Sequence, residues 1–270
     1  GNMHLEIAGE RIPLNEGWTY SNTVEPPLPI ERRFEHEATW LYNGMIHPVR
    51  RYGMRGVIWY QGEANVEEAH LYGDLFKAMI SNWRETSGQE LVFLFVQLAG
   101  FETYIFPQPD SWWANIRYQQ EQALDLPLTG MATAVDIGEE YNIHPTNKRD
   151  VVLRLWLQAR KVAFGEDIQA DAPRVTAYKV KGNKVKLQFD EKAGTLELRG
   201  NTNKVQTFIL AGEDGMYHAA QAELKGSTIT VWSDDVPQPR SLKYAWSNFP
   251  RVNLYSNGGI PVLPFKIDQL

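Results

Sequence analysis

Two short segments hold the residues whose types and spacing could do chemistry. Residues 59–65, with the sequence WYQGEAN, follow a short apolar run and are typical of a strand that enters a polar turn before a helix. Residues 142–145, with the sequence NIHP, put a histidine on a proline-ended loop before another helix. Hydrolytic α/β enzymes place oxyanion donors and a general base on turns of this kind. The two segments therefore favour a hydrolytic function.

The first segment offers hydrogen-bond donors on a turn. Gly62 lets the backbone approach a substrate closely. Its N–H and the side-chain amide of Asn65, next to Gln61, could donate to a developing oxyanion. A glycine turn followed by Asn65 as the N-cap of a helix at 66–84 explains the same residues equally well. Glu63 could orient a base or simply favour the helix N-terminus.

His144 is the candidate general base, because an imidazole can take and return a proton near neutral pH. The competing interpretation is a structural histidine that hydrogen-bonds nearby backbone. A Ser-His-acid triad also needs a carboxylate to hold the histidine. Asp136, Glu139 and Glu140 lie just upstream, whereas Asn142 cannot stabilise an imidazolium as a carboxylate does. The acid is one of those three residues, or it is absent.

The nucleophile is the missing part. No serine lies in a glycine-rich strand-to-helix turn, and Ser111, beside two tryptophans, is better explained as the N-cap of the following helix. The chain has no Cys, which excludes thiolate nucleophiles, disulfides and cysteine metal sites. Its histidines form no i,i+4 pair, and no phosphate loop or dinucleotide fingerprint is present. We expect no metal or other cofactor.

Composition narrows the possible partners. The net charge of -6 argues against a broad attraction to nucleic acid or anionic lipid. No apolar run approaches the roughly 18–20 residues that would span a bilayer. Nine Trp could stack on sugars, although core packing is the more common role of tryptophan. We expect neither a nucleic-acid nor a membrane partner.

The pattern from about residue 38 to 165 alternates strands with amphipathic helices, which predicts a parallel sheet. Only three such strands are visible, and both edges of a buried sheet must be paired or covered. We expect part of this layer to precede residue 1 in a parent protein, or to come from a partner chain. The predicted strands are 56–60, 91–96 and 131–137, and the predicted helices are 66–84, 112–124 and 147–164.

The flanking parts have a different character. A hairpin around Gly9-Glu10 and an extended proline-rich linker at 24–29 precede the alternating region. After Pro173 the apolar residues alternate with a period of two, and the short strands predict an antiparallel β-sandwich. The predicted domains are a β tail and linker (1–36), an incomplete α/β domain (37–168) and the β-sandwich (169–270). The predicted strands of the sandwich lie near 185–189, 195–198, 206–211, 228–232 and 241–246.

At these motifs the chain resembles the sialate O-acetylesterases of the SGNH hydrolase superfamily, over their carboxy-terminal portion. The resemblance implies a partial SGNH-hydrolase-like three-layer α/β/α fold with a parallel sheet, followed by a small antiparallel β-sandwich. It also implies that residues 1–36 are the tail of an inserted β domain, and that the parent protein is periplasmic or secreted. The matching segments, in order, include LYNGMIHP (41–48), GVIWYQGEAN (56–65), FVQL (95–98), RYQQ (117–120), IHP (143–145), YAW (244–246), NLY (253–255) and LPF (263–265).

The resemblance implies removal of O-acetyl groups from sialic acid or another acetylated sugar through a serine acyl-enzyme. By position, residues 61–65 would form the oxyanion block and His144 the general base, with Trp59 and Tyr60 as predicted substrate contacts. The family's Gly-Gln-Ser-Asn-like nucleophile block does not occur here, and Asn142 stands where the family usually has Asp. Two hypotheses follow: the carboxy-terminal half of a sugar O-acetylesterase that needs its upstream segment, or a non-catalytic carbohydrate-binding or scaffold relative.

Overall fold

The computed structural model describes residues 4–17, 20, 37–200, 202 and 204–270. The chain divides into two units, residues 1–50 and 51–270. In the first unit, strands β1 (His4–Ile7) and β2 (Glu10–Pro13) pair antiparallel, which confirms the predicted hairpin. A π-helical turn (Tyr42–Ile46) and a 3-10 turn (His47–Val49) follow near its end. The predicted linker at 24–29 lies outside the described residues.

A parallel sheet of three strands lies at the centre of the α/β part of the second unit. The strands are β3 (Gly56–Trp59), β4 (Val92–Gln97) and β5 (Thr129–Thr133), in the order β3-β4-β5. Every residue of β4 is buried, as its continuous apolar run predicts. The predicted third strand at 131–137 is wrong in its bounds. The strand ends at Thr133 because the chain turns there, with Ile137 N–H donating to the carbonyl of Ala134.

Three helices cover this sheet. A 3-10 turn (Glu63–Glu68) leads into α1 (Ala69–Ser87), and α2 (Trp112–Glu121) continues into a second 3-10 turn (Gln122–Asp125). Helix α3 (Lys148–Val162) begins at the predicted cap, since Asn147 accepts from the N–H of Asp150. The sequence pattern predicts Val152 on the buried side of this helix, but it is 60% exposed.

The helices lie on both faces of the sheet, so this part has three layers. Helices α1 and α2 pack one face, where Phe76 and Ile116 share a core with Phe93 and Phe95. Helix α3 packs the other face, through a core that includes Val151, Leu155, Leu94 and Val96. Because the strands are parallel, their carboxyl ends meet at one edge, where the turn after β3 and the loop after β5 lie.

In the described part of the chain after α3, ten strands pair antiparallel. Two four-stranded sheets, β10-β9-β13-β15 and β11-β12-β7-β6, contribute side chains to one shared core, and β8 pairs with β14. The five predicted strands are confirmed as β7, β8, β9, β12 and β13, whereas the sequence pattern did not predict the other five, β6, β10, β11, β14 and β15. The strands are β6 (Val175–Lys181), β7 (Lys184–Phe189), β8 (Leu196–Leu198), β9 (Phe208–Ala211), β10 (Tyr217–Ala219), β11 (Gln221–Lys225), β12 (Thr228–Trp232), β13 (Ser241–Tyr244), β14 (Leu254–Ser256) and β15 (Phe265–Ile267).

The predicted mixed α/β architecture, with one parallel sheet and several antiparallel sheets, is confirmed. The predicted boundary between residues 168 and 169 lies inside the second unit and stays a prediction. Within the described ranges, the outer edge of β3 has no strand partner, and Ile58 on that strand is 68% exposed. None of the helices in those ranges is long and apolar enough to cross a membrane.

Candidate active site

The turn after β3 depends on Gly62. This residue is buried and has φ of 151°, a conformation that favours glycine. A Cβ atom at Gly62 would lie 3.0 Å from Gln120 Nε2 and 3.2 Å from Leu98 Cδ1. The proposed N-cap role of Asn65 is wrong, because the 3-10 turn intervenes and α1 begins only at Ala69. Asn65 instead closes the turn through its backbone N–H, which donates to the carbonyl of Gly62 over 2.9 Å.

A chain of hydrogen bonds fixes the side chain of Asn65. The Tyr72 hydroxyl accepts from Trp59 Nε1 (3.4 Å) and donates towards the carbonyl oxygen (3.1 Å) and Oε1 (3.2 Å) of Gln61. Gln61 Nε2 in turn donates to Asn65 Oδ1 over 2.7 Å. Burial raises the pKa of the Tyr72 hydroxyl, so it stays protonated and able to donate at neutral pH.

This arrangement leaves two donors on the turn without an acceptor. The Oδ1 atom of Asn65 is occupied by Gln61, and no group in the described part of the chain accepts from Asn65 Nδ2. The backbone N–H of Gly62 likewise has no acceptor among the described residues, although Gly62 is buried. A buried backbone N–H without a partner is uncommon in folded proteins. Two free donors, three residues apart on a rigid turn, suit a ligand oxygen that carries negative charge.

Sequence reasoning did not identify Tyr72 and Gln120, which hold this turn from two helices. Gln120 Nε2 donates to the carbonyl of Gln61 over 3.1 Å, and its Oε1 accepts from the N–H of Leu98. The signal for Gln120 was present, because a buried glutamine on the apolar side of a helix must find partners. Tyr72 gave no such signal, since its hydroxyl is matched only in three dimensions.

The two aromatic residues predicted to contact substrate have other neighbours. The Trp59 ring packs beside Phe76 and Trp83 in the core and holds Tyr72 through its ring nitrogen. Its contacts point to packing rather than to stacking on a sugar. The Tyr60 ring is half-buried, and Lys148 Nζ lies 4.9 Å from its centre. Because Lys148 begins α3, this contact brings the loop before α3 beside the turn after β3.

His144 lies exposed on that loop. Its backbone N–H donates to Asn142 Oδ1 over 3.0 Å. Within the described ranges, no group is hydrogen-bonded to its ring. The Glu63 carboxylate, one of the predicted partners of a base, likewise makes no hydrogen bond or ion pair with any described residue. It lies in the first turn of the 3-10 segment.

The three candidate acids have distinct roles, and none of them contacts the His144 ring by a hydrogen bond. Asp136 forms a bidentate pair with Arg154 (2.6 and 2.8 Å) and accepts from the Tyr255 hydroxyl over 3.1 Å. Glu140 accepts from the backbone N–H of Tyr104 over 2.8 Å. These two carboxylates therefore serve structural contacts.

Glu139 is the acid that shapes the histidine loop. Its Oε2 accepts from Asn142 Nδ2 over 2.8 Å, and its Oε1 accepts from both the N–H and the hydroxyl of Thr146 over 2.6 Å. These hydrogen bonds, with that of the Thr146 hydroxyl largest, lower the pKa of the Glu139 carboxyl. A single carboxylate thus joins the residues on either side of His144.

Ser111, the serine weighed from the sequence, has local partners, and so do two serines of α1. Ser111 caps α2 by accepting from the N–H of Ala114, as predicted, and its hydroxyl donates to Asn248 Oδ1 over 2.6 Å. Ser81 and Ser87 donate to carbonyls of their own helix. The described residues also contain no group of three or more His, Asp or Glu that could hold a metal ion.

Residues 28–160 match a family model described as carbohydrate esterase, sialic acid-specific acetylesterase. The sialate O-acetylesterase of Rattus norvegicus is 32% identical over 249 residues, which cover 83% of this chain and 45% of that protein. The sialate O-acetylesterase of Homo sapiens is 34% identical over 149 residues, which cover 49% of this chain and 28% of that protein.

A solved structure is also similar. The crystal structure of a novel carbohydrate acetylesterase from Xanthomonas citri matches with a TM-score of 0.80 and 43% identity, covering 85% of this chain and 54% of that one. The chain therefore spans about half the length, or less, of the relatives it matches. Residues 28–160 belong to the carbohydrate esterase family of sialic acid-specific acetylesterases, and the resemblance predicted from the motifs is confirmed.

Proposed function

We propose that this chain carries the oxyanion donors and the general base of a carbohydrate O-acetylesterase. The observation that carries the proposal is the fixed Asn65 side chain. Because Gln61 occupies Oδ1, Asn65 can only present its Nδ2 donor, alongside the N–H of Gly62, for which no described residue is an acceptor. Two such donors stabilise the oxyanion of a tetrahedral acyl intermediate, and loss of one costs about 3–4 kcal/mol of barrier in a serine protease.

His144 is the proposed base of the same reaction. It would take the proton of a serine hydroxyl as that oxygen attacks the acetyl carbon, and return it to the departing sugar hydroxyl. The substrate is then an acetylated sugar, sialic acid or another, as the family's description suggests. Tyr60 is the more favourable of the two aromatic candidates for a sugar contact, because Trp59 is engaged in the core.

The nucleophile is proposed to come from a segment of a longer parent protein or from a partner chain. The outer edge of β3, unpaired within the described residues, fits this proposal because a parallel strand added there would end at the same edge as β3. The turn after such a strand would reach the neighbourhood of Gly62. This arrangement would complete an SGNH-type sheet around the candidate site.

Labelling with a fluorophosphonate tests the proposal, with intact mass and 4-nitrophenyl acetate turnover as readouts. The chain alone is expected to take no stoichiometric adduct. The part of the Xanthomonas citri acetylesterase that this chain does not match is then added as a second polypeptide. We expect an adduct on that polypeptide and turnover that His144→Ala removes. An adduct on the chain itself would mean that it holds its own nucleophile.

A non-catalytic carbohydrate-binding role is the second candidate. The observation that favours it is the environment of His144, whose ring has no carboxylate partner among the described residues, with Asn142 at the family's acid position. Sugar binding in the two-polypeptide mixture, without ester turnover and without an adduct, would support this second function over the first.

A further inference from the structure

We propose that Glu139 and Asn142 form a matched pair that positions His144, taking the place of an acid beside the imidazole ring. This inference rests on the proposed function for its catalytic meaning. Its geometry rests only on the loop between β5 and α3. Glu139 would be a positioning residue, because it touches the loop and not the reacting atoms.

The pair encloses the histidine from both sides. Glu139 binds Asn142, two residues before His144, and Thr146, two residues after it. Asn142 then accepts from the backbone N–H of His144 itself over 3.0 Å. A backbone bridge between Glu139 and Asn142 closes the same loop. The backbone on both sides of the imidazole is therefore tied to one carboxylate, and we call this set of contacts the Glu139 clamp.

The residue types are complementary in a way that explains Asn142. An asparagine side chain both donates and accepts, and here its Nδ2 donates to Glu139 while its Oδ1 accepts from His144 N–H. An aspartate at this position would face the Glu139 carboxylate across 2.8 Å with no donor between them. An aspartate at position 142 is thus incompatible with Glu139 in its present arrangement, whereas asparagine fits it.

The charge on Glu139 makes the Glu139 clamp depend on pH. The Thr146 hydroxyl, the Thr146 N–H and Asn142 lower the pKa of this carboxyl, and Lys148 on α3 acts in the same direction. On the same loop, Asp136, Glu140, Tyr141 and His144 are the other titratable groups, and Asp136 is paired with Arg154 of α3. A carboxyl whose pKa falls on folding stabilises the fold above its unfolded pKa and loses that effect as pH falls through the folded pKa. The clamp is therefore intact at neutral pH and opens only in acid, below the ordinary pKa of glutamate.

A charge swap tests the pair on the chain alone. In the nitrogen-15-labelled protein, exchange of the Thr146 and His144 amide protons with water is measured for Glu139→Gln, Asn142→Asp and the double variant. Glu139→Gln leaves two NH2 donors facing each other, and Asn142→Asp leaves two carboxylate acceptors facing each other. In both single variants we therefore expect hydrogen exchange at Thr146 to accelerate about tenfold or more. In the double variant, the new glutamine side chain would donate to the new aspartate and still accept from Thr146. Exchange should then return to near the wild-type rate.

Glu140→Gln is the matched control, since its amide can still accept from Tyr104 N–H and it should leave Thr146 unchanged. Additive acceleration in the double variant, or no acceleration in either single variant, would overturn the proposed pair. The pH profile is a further check, because the acid-side loss of protection should be absent in Glu139→Gln. Melting temperatures verify that each variant is folded.

Activity separates this inference from the proposed function. In the two-polypeptide esterase, Glu139→Gln should lower kcat at least tenfold with little change in KM, and the double variant should recover it. If the amide exchange follows the swap but the mixture has no esterase activity, the proposed function fails and the clamp is a structural feature only. If activity is present but indifferent to the swap, the positioning role of Glu139 is wrong.

Discussion

At the scale of single residues, the candidate site depends on how amides are held rather than on unusual charges. Asn65 is useful as a donor only because Gln61 occupies its oxygen, and Gln61 is held in turn by Tyr72. Each of these contacts involves a partly buried polar group that would lose its partner if the next residue changed. Side chains fixed in this way need little reorganisation when charge develops on a bound oxygen.

Gly62→Ala is expected to destabilise the protein and, under the proposed function, to remove the esterase turnover of the two-polypeptide mixture. Alanine rarely adopts φ of 151°, and its Cβ would press on Gln120 Nε2 at 3.0 Å. Such backbone strain costs about 1–3 kcal/mol, which a urea unfolding curve resolves. Gly53→Ala is the control, because a Cβ there meets nothing within 4 Å and the φ of Gly53 is not positive. Equal unfolding midpoints for the two variants would contradict the account of the turn.

Tyr72→Phe tests the hydrogen-bond chain without changing the shape of the core. Gln61 would lose the donor to its Oε1, and Trp59 would lose the acceptor of its ring N–H. We expect a loss of about 1–3 kcal/mol in the free energy of unfolding, since partly buried polar groups are left unpaired. Tyr141→Phe, at a side chain that is 82% exposed, should have almost no effect. If both variants had the same unfolding midpoint, the hydrogen bonds of the Tyr72 hydroxyl would contribute nothing to the stability of the protein.

At the scale of elements, neighbouring carboxylates on the loop after β5 make different contacts: Glu139 binds residues of its own loop, and Asp136 binds a helix. Asp136 lies under Arg154 of α3, and both side chains are largely buried. Breaking a buried pair by removing one partner costs about 3–5 kcal/mol, because the other charge stays buried. Asp136→Asn should therefore lower the melting temperature markedly. Asp171→Asn, which breaks an exposed pair with Lys161, should cost under about 1 kcal/mol. Similar shifts in the two variants would refute the structural role of Asp136.

The elements themselves could be predicted from sequence, whereas the links between them could not. Strand β4 was readable because it is buried on both faces and therefore apolar throughout. The end of β5 was not, because Ala134 and Val135 continue the apolar run while the backbone already turns. Periodicity put Val152 on the buried face of α3, yet this residue is 60% exposed.

The segments of the candidate site could likewise be predicted from sequence, whereas the contacts that hold them could not. The turn at 61–65 and His144 were identifiable from residue type and from the position of each segment between elements. The Tyr72 chain joins positions 11 residues apart through side chains on different elements, and no spacing rule encodes that match. Glu139 was one of three equivalent carboxylates on sequence alone. Only its hydrogen bonds to Asn142 and Thr146 distinguish it.

At the scale of the whole second unit, the antiparallel part is joined to the edge of the parallel sheet that carries the candidate site. Asn248 donates its N–H to Gln108 Oε1 and accepts from Ser111, and its carbonyl accepts from the N–H of Phe101. Phe101 and Gln108 belong to the loop that follows β4, in the middle of the sheet. The shape of that loop therefore depends on a segment that comes after β13.

Arg117 of α2 holds the segment after β13 in place, and we call its contacts with that segment the junction. It is fully buried, and its guanidinium donates to the carbonyls of Ser247 (3.0 and 3.1 Å) and Asn248 (2.6 Å). Among the described residues it has no carboxylate partner. Burial lowers its pKa to about 9, so it is still charged at neutral pH. Backbone carbonyls thus replace part of the hydration that this charge lost on folding, while Arg117 Nε has no hydrogen-bond partner among the described residues.

Arg117→Lys should weaken the junction although it keeps the charge, because a single ammonium cannot reproduce the forked contact with two carbonyls. We expect a loss of about 2–4 kcal/mol in the free energy of unfolding. Hydrogen exchange should also become faster at the N–H groups of Phe101 and Asn248, which the junction holds. Arg240→Lys is the control, at an exposed arginine with no side-chain ion pair among the described residues. If Arg117→Lys left exchange at Phe101 unchanged, the antiparallel part would have no hold on the loop after β4, and the two parts would have to be treated as independent.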